Sequence, residues 1–218
     1  MLLLAIDTSG RQGGITLARG ANDIEIIEST PIQGGTFSAE LVPQIADVLE
    51  KHSYRATDLK ALVAVTGPGS FTGLRVGLTA VKGLAEVLGI PIATVTSLEI
   101  LLAAAGEPDS AMAVLDAGRG ELYVATQTNG EREESLLTAA EAAAIASSRP
   151  LRVIAAEASV ASKFPKSDLI QYCSTEVAAR LGFDKVRARN TVDVLALDAN
   201  YIRKSEAEYM QKLKKSGM

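Results

Sequence analysis

The sequence predicts an α/β protein in which one unit of strands and helices occurs twice. Short apolar runs alternate with longer amphipathic segments through the first half of the chain, which is typical of a mixed sheet with helices packed on it. The stretches "LLLAIDTSGRQGGITLARG" and "AMAVLDAGRGELYVATQTNG" also share one order: apolar strand, Asp, Gly-Arg turn, second strand and Gly. Asp7 and Asp116 therefore occupy equivalent places in two predicted hairpins, which indicates a weak internal repeat.

The first half of the chain predicts the element order β-β-β-α-β-α. Ser38 and Ser97 each stand where a helical pattern begins, and both are predicted N-caps. The predicted strands lie within 2–6, 15–20, 24–30, 61–67 and 90–97, and the predicted helices span 38–52, 72–88 and 97–105.

A duplicated unit of this kind is the organisation of actin-like, sugar-kinase-like (ASKHA) proteins. We therefore predict an α/β fold of that type, with two lobes from a duplicated βββαβα unit. The turn-forming stretch "GEPDS" is a composition break after Gly106. The first lobe is then expected to span 1–106, and the second, smaller lobe 107–218.

The second half of the chain has fewer clear patterns. Thr138 is expected to cap a helix over 139–147, and "LRVIAA" is expected to form a strand. A short helix is expected to end at Gly182. A long helix, about 191–218, is expected to pack back on the first lobe.

The composition excludes several classes of protein. A single cysteine cannot form an internal disulfide, and this predicts a cytoplasmic protein. The N-terminal apolar run ends at Asp7, which is too short for a signal peptide or a membrane span. The net charge of −4 and the 4% aromatic content argue against a base-stacking surface for nucleic acid.

The stretch "TGPGSFTGLRVGLTAVKGLAEVLG" resembles a phosphate-binding loop that opens onto a helix. A P-loop counted from Gly67 would place its Gly-Lys pair at Thr72 and Gly73, where no such pair stands. A Rossmann fingerprint fails as well, since Gly67, Gly69 and Gly73 are spaced one residue too widely. An anion site at the helix N-terminus stays an alternative.

The helices predicted over 38–52 and 72–88 have more apolar surface than one sheet face requires. In the second helix, one apolar stripe can pack on the sheet, whereas the adjacent stripe needs another cover. The two helices either pack on each other and on the sheet, or together form a docking surface for another chain. The predicted contact residues are Leu41, Ile45, Val48, Leu49, Gly73, Leu74, Gly77, Leu78 and Val81.

Other kinds of site have weak support in the sequence. His52 is the single histidine, so a zinc or iron site of the usual kinds would lack ligands. Cys173 has no histidine nearby, and Ser70 lacks the flanking glycines of a serine elbow. Asp7 and Asp116 could bind a magnesium nucleotide across a cleft, or each could cap a tight turn.

Five stretches together resemble the TsaB family, also called YeaZ: "LLAIDTS", "GPGSFTGLRVGLTAVKGLA", "VTSLE", "LDAGRGELYVA" and "YIRKSEAE". The resemblance implies a part in forming threonylcarbamoyladenosine at position 37 of tRNAs that read ANN codons. It implies a non-catalytic scaffold whose helices 38–52 and 72–88 form a bundle with the same helices of TsaD, the catalytic paralogue with a metal-binding histidine pair. One departure stands at Phe37, where many members have a histidine; Phe37 could still support the helix start by apolar contact.

The resemblance also implies an assembly larger than this chain. The ATPase TsaE joins the complex, tRNA is reached indirectly through the complex, and ATP and Mg²⁺ are used there. No cofactor is expected to bind this chain tightly, and no membrane contact is expected. When alone, the chain is expected to form a homodimer, because exposed apolar helices rarely stay uncovered.

Two other functions stay open. An active actin-like ATPase or small-molecule kinase would use Asp7 and Asp116, with Asp7, Thr8 and Ser9 contacting the nucleotide. A tRNA-binding module is the third hypothesis, although the acidic balance argues against direct, tight binding of phosphates.

Overall fold

The computed structural model describes residues 1–171, 174–200 and 202. Five strands form the first sheet, in the order β3-β2-β1-β4-β5. The strand β1 is antiparallel to β2, and β2 to β3, whereas β1, β4 and β5 run parallel. Their bounds are Leu2–Asp7 for β1, Gln12–Gly20 for β2, Ile24–Gln33 for β3, Leu59–Val65 for β4 and Ile92–Val95 for β5.

The second sheet repeats this topology, in the order β10-β9-β6-β7-β8. Here β6, β7 and β8 are consecutive antiparallel strands, β9 pairs with β6 in parallel, and β10 pairs with β9 in parallel. The duplicated, actin-like α/β fold predicted from the sequence is therefore confirmed. The bounds are Ser110–Gly118 for β6, Glu121–Thr128 for β7, Glu131–Thr138 for β8, Arg152–Ala155 for β9 and Asp168–Leu169 for β10.

Six α-helices and one 3₁₀ turn lie in the described part of the chain. The first two helices cover one face of the first sheet, where their apolar side chains meet those of the strands in the largest core cluster. The bounds are Phe37–Lys51 for α1, Ala56–Asp58 for the 3₁₀ turn, Phe71–Leu88 for α2, Ser97–Ala104 for α3, Ala139–Ser148 for α4, Ala158–Ala161 for α5 and Ser174–Arg187 for α6.

The helices α3 and α6 each pack on the sheet of the other half. Leu98, Leu101 and Leu102 of α3 join the core of the second sheet. Ala179 and Phe183 of α6 join the core on the second face of the first sheet. Because the two halves exchange a helix in this way, their contacts do not test the division at Gly106, which stays a prediction.

Helix starts differ from the prediction by one or two residues. The helix α1 begins at Phe37 with Thr36 at the N-cap position, so Ser38 lies in its first turn. The cap of α3 is Thr96, whose hydroxyl accepts from Glu99 N at 3.1 Å while Glu99 accepts from Thr96 N at 3.3 Å. This reciprocal pairing is a capping box, which outweighs the single cap predicted at Ser97. The cap predicted at Thr138 is confirmed.

The prediction of a helix starting near Thr191 is wrong for the residues up to Asn200. There the chain is extended and turned: Val192 N donates to Ile92 O at 2.8 Å in an antiparallel bridge to the edge of the first sheet. Leu197 is buried in the adjoining core, which favours this extended path over a helix. Of the remainder of that predicted helix, Ile202 lies in a bend, and the other residues lie outside the described part of the chain.

The end predicted for the preceding helix is also wrong, because α6 continues past Gly182 to Arg187. No helix in the described part of the chain combines the length and apolarity needed to cross a membrane.

Candidate functional site

The glycine-rich loop between β4 and α2 packs against the end of β1. Ser70 caps α2, since its side chain accepts from Gly73 N at 3.2 Å. The backbone N–H of Ser70 donates to Ser9 O at 2.6 Å. The loop is therefore tied to the segment that follows β1.

Three glycines at four-residue spacing allow this approach. A Cβ on Gly69 would overlap the carbonyl oxygen of Ser9, and one on Gly73 would overlap that of Thr8. A Cβ on Gly77 would overlap the Thr8 hydroxyl. The approaching group is therefore the chain's own segment 8–9, through its backbone at Gly69 and Gly73 and through the Thr8 side chain at Gly77.

The three residues predicted to contact a nucleotide have different environments. Asp7 is buried, and its Oδ1 accepts from Ser9 N at 2.8 Å and from Ser9 Oγ at 2.7 Å. Thr8 is directed at α2, where its hydroxyl donates to Gly73 O at 2.7 Å. Ser9 Oγ also accepts from Ser97 Oγ at 3.2 Å. Asp7 and Ser9 thus form a local turn, and Thr8 holds a helix.

A cleft of about 1530 Å³ lies between the two sheets. Asp7 and Ser9 line it from the first half of the chain, and Asp116 and Glu157 line it from the second. Asp116 Oδ1 accepts from Gly118 N at 3.0 Å, which is the turn-capping arrangement. The two acids from equivalent hairpins therefore open on the same cleft while each is engaged in its own turn.

The nine residues predicted to contact a partner are all buried in the isolated chain. Most of their side chains pack with the strands in the core of the first sheet, whereas Gly73 and Gly77 lie against Thr8. Residues buried in this way have no free surface to offer a partner. They are Leu41, Ile45, Val48, Leu49, Gly73, Leu74, Gly77, Leu78 and Val81.

The exposed apolar surface of these helices belongs to the adjacent stripe. Val42 of α1 is 66% exposed, and Phe71 and Val87 of α2 are 48% and 83% exposed. A groove of about 430 Å³ runs between the helices, with Val42 on one side and Val76 on the other. We call this surface the α1–α2 face; it comprises Val42, Phe71, Arg75, Val76, Thr79, Ala80 and Val87.

A charged group stands within this apolar face. The Arg75 guanidinium lies over the Phe71 ring, 4.1 Å from its centroid. This cation–π contact orders the arginine and holds the exposed ring in place. The sequence places Val76, Ala80 and Val87 on one stripe of α2, but only the fold shows which stripe is free.

His52 is engaged away from the cleft. Its Nε2 lies 2.6 Å from Glu28 Oε2 at the edge of the first sheet. Within residues 1–171, 174–200 and 202, no group of three or more His, Cys, Asp or Glu side chains is arranged to hold a metal ion. Cys173 lies outside the described residues.

The family model of TsaD, described as tRNA N6-adenosine threonylcarbamoyltransferase, matches residues 31–174. A protein of Bacillus subtilis named tRNA threonylcarbamoyladenosine biosynthesis protein TsaB is 39% identical over 124 residues, which cover 56% of this chain and 53% of that protein. The chain belongs to the TsaB (YeaZ) family. The Escherichia coli TsaB is 31% identical over 134 residues, covering 60% of this chain and 57% of that protein.

The chain spans little more than half the length of these curated TsaB relatives. Among solved structures, YeaZ from Pseudomonas aeruginosa superposes with a TM-score of 0.72 at 21% identity, covering 92% of this chain and all of that one. At this identity the likeness shows a shared fold.

The departure at Phe37 has a structural account within the TsaB fold. Phe37 is 4% exposed and is the first residue of α1, where it packs in the core with Leu41. A Cβ on Gly13 would stand 3.0 Å from the Phe37 ring, so the ring fills the space beside the first hairpin. Phe37 is thus an apolar support of the helix start, as predicted.

Proposed function

We propose that this chain is a non-catalytic scaffold subunit for the formation of threonylcarbamoyladenosine at position 37 of tRNAs reading ANN codons. It acts in the cytoplasm and pairs with the catalytic paralogue TsaD. Membership of the TsaB family and the printed names of the relatives support the pathway. The exposed apolar α1–α2 face is the observation that carries the pairing.

The same fold relationship supports TsaD as the occupant of this face. The TsaD family model matches residues 31–174, a range that contains α1 and α2. Each protein then has an equivalent pair of helices, and two such pairs can meet about a pseudo-twofold axis. The groove beside Val42 would receive an apolar side chain from the partner, as helix pairs do when ridges fill grooves.

The remaining partners follow from this role. TsaE joins the TsaB–TsaD pair, the assembled complex uses ATP and Mg²⁺, and a separate enzyme supplies the threonylcarbamoyl-adenylate. The tRNA is bound through the complex rather than by this chain alone, in line with its net charge of −4. Without TsaD, two copies of this chain cover the α1–α2 face by pairing with each other.

The test mixes the purified chain with TsaD from the same organism and measures mass by light scattering. A heterodimer at micromolar concentration is expected, with the homodimer of the isolated chain replaced by the mixed species. A tRNA modification assay with and without the chain then measures its contribution. Two separate species at micromolar concentration would contradict the pairing.

A charge at Val42 should disrupt the pairing without unfolding the chain. Val42→Glu places a carboxylate in the groove of the α1–α2 face, and burying it unpaired would raise the Kd for TsaD at least about tenfold. Leu195→Glu is the matched control, because Leu195 is 95% exposed and lies outside both helices. The control is expected to bind as the parent does; equal binding by both variants would show that the face is not the contact.

A second function is favoured by the cleft between the sheets. Asp7 and Asp116 both line it, as an active actin-like ATPase or small-molecule kinase would require for a magnesium nucleotide. Calorimetry of the isolated chain with ATP and Mg²⁺ distinguishes the two functions. Sub-millimolar binding of ATP that is lost in Asp7→Asn would favour the enzyme. A scaffold is expected to show no sub-millimolar binding in either form.

A further inference from the structure

One side chain connects the centre of the first sheet to the helix that carries the α1–α2 face. Thr8 directly follows β1, which is the middle strand of that sheet. Its side chain is 2% exposed and is directed at α2. The Thr8 hydroxyl donates to Gly73 O at 2.7 Å, and the positions of Gly73 and Gly77 lack the Cβ atoms that would collide with Thr8.

We propose that Thr8 is the positioning residue of the α1–α2 face. By fixing the first two turns of α2, it sets the place of Phe71, Arg75 and Val76, which the partner would contact. This inference rests on the proposed function, since it concerns the affinity of that same face. It assigns to Thr8 an effect on partner binding although Thr8 itself is buried beneath the helix.

The geometry favours positioning over simple packing. The carbonyl oxygen of Gly73, a residue within α2, accepts a hydrogen bond from the Thr8 hydroxyl. Ser70 N, one turn earlier, donates to Ser9 O at 2.6 Å, so two successive turns are bonded to the same short segment. A close-packed contact of this kind transmits a displacement instead of absorbing it.

The test compares Thr8→Val with Thr16→Val in the full chain. Both changes exchange a buried hydroxyl for a methyl group, at the end of β1 for Thr8 and within β2 for Thr16. Thr16 bonds to Ser29 at 2.9 Å and to Thr175 at 2.8 Å, on the side of the sheet that faces α6. The control therefore removes at least as many hydrogen bonds at a distance from α2.

Thr8→Val is expected to raise the Kd for TsaD about tenfold, because the face is displaced as a whole. The Kd of Thr16→Val for TsaD is expected to stay within about twofold of that of the parent, whatever the effect of this substitution on the unfolding midpoint. Hydrogen exchange at the amides of 71–76 should be faster in Thr8→Val than in the control. Equal Kd values for the two variants, or equal exchange at 71–76, would overturn the positioning role.

Failure of the proposed function gives a different result. If the parent chain does not bind TsaD, the pairing is contradicted. Hydrogen exchange at the amides of 71–76 would still show whether Thr8 holds α2 in place. A second pair of variants checks the contact itself. Gly77→Ala places a Cβ against the Thr8 hydroxyl and should weaken binding, and adding Thr8→Ala should weaken it little further, because the positioning contact is already lost. A loss in the double variant equal to the sum of the two single losses would count against the contact.

Discussion

At the scale of single residues, the sequence predicts which positions are unusual more readily than what they contact. The small residues Gly73 and Gly77 indicate a close approach, and the fold shows that the approaching group is the segment 8–9, which also contacts Gly69. That segment is about sixty residues away in the chain, so no local pattern could identify it. The burial of the residues predicted to contact a partner also lies beyond local patterns, since periodicity defines stripes without showing which one is free.

Glu28 carries a prediction at this scale. It lies between Lys51 Nζ at 2.8 Å and His52 Nε2 at 2.6 Å. The hydrogen bond from Lys51, followed by that from His52, lowers the pKa of Glu28 from its ordinary value of 4.5. Because the folded-state pKa is the lower one, the stabilisation is present above about pH 4.5 and is lost as the pH falls through the folded-state value.

Glu28→Gln should therefore unfold at a lower temperature than the parent at pH 7, and the difference should shrink as the pH falls below 4.5 and through the lowered pKa of Glu28. Thermal melts across this range measure it. Glu86→Gln, on the exposed side of α2, is the control and should show no such convergence. A constant difference at all pH values would contradict the assignment to the ionised carboxylate.

At the scale of elements, the strands and long helices are predicted well, and their ends less so. Apolar runs and helical periodicity are local signals, which is why β1, β4, α1 and α2 were placed within a few residues. The capping box at Thr96 was present in the sequence as Thr-x-x-Glu and was missed. The path of 191–200 depends on the open edge of β5, and this is a tertiary effect that overrides helical spacing.

Two glycines inside helices predict opposite effects of the same substitution. A Cβ on Gly182 of α6 would overlap the Val63 side chain, whereas a Cβ on Gly83 of α2 would have no atom within 4 Å. Gly83→Ala should stabilise the chain by about 0.5–1 kcal/mol, because alanine loses less backbone entropy in a helix. Gly182→Ala should instead destabilise it by about 1–2 kcal/mol, since overpacking exceeds that gain. Urea unfolding of both variants gives the signs, and stabilisation by both would contradict the close packing of α6 on β4.

At the scale of the whole molecule, the duplication was predicted because the two hairpins resemble each other in sequence. The sequence does not predict the exchange of α3 and α6 between the sheets, since either amphipathic helix could pack on either sheet. A polar network joins the halves beside this crossing. Glu134 of β8 accepts from Thr96 at 2.8 Å and from Asn200 at 2.7 Å, and Lys185 of α6 lies 2.7 Å from Glu99.

Glu134→Gln should weaken the junction between the halves. The amide removes the negative charge that strengthens both hydrogen bonds and faces Arg132 at 3.7 Å, at a cost of about 1–3 kcal/mol. Glu133→Gln is the matched control, because Glu133 is the exposed neighbour of Glu134 on the same strand. This substitution should change the stability by less than about 0.5 kcal/mol. Denaturant titration of both variants measures the difference in stability. Equal unfolding midpoints would show that the network contributes little.

The exchanged helices also impose an order on synthesis at the ribosome. The second face of the first sheet is covered by α6, whose last residue is Arg187. The strands of that sheet are complete in the nascent chain by Val95. The second face of the sheet nevertheless stays uncovered until α6 is complete, some ninety residues later. Folding of the first half is thus coupled to translation of the second, and a chain that stalls in the second sheet would leave a broad apolar surface open to chaperones.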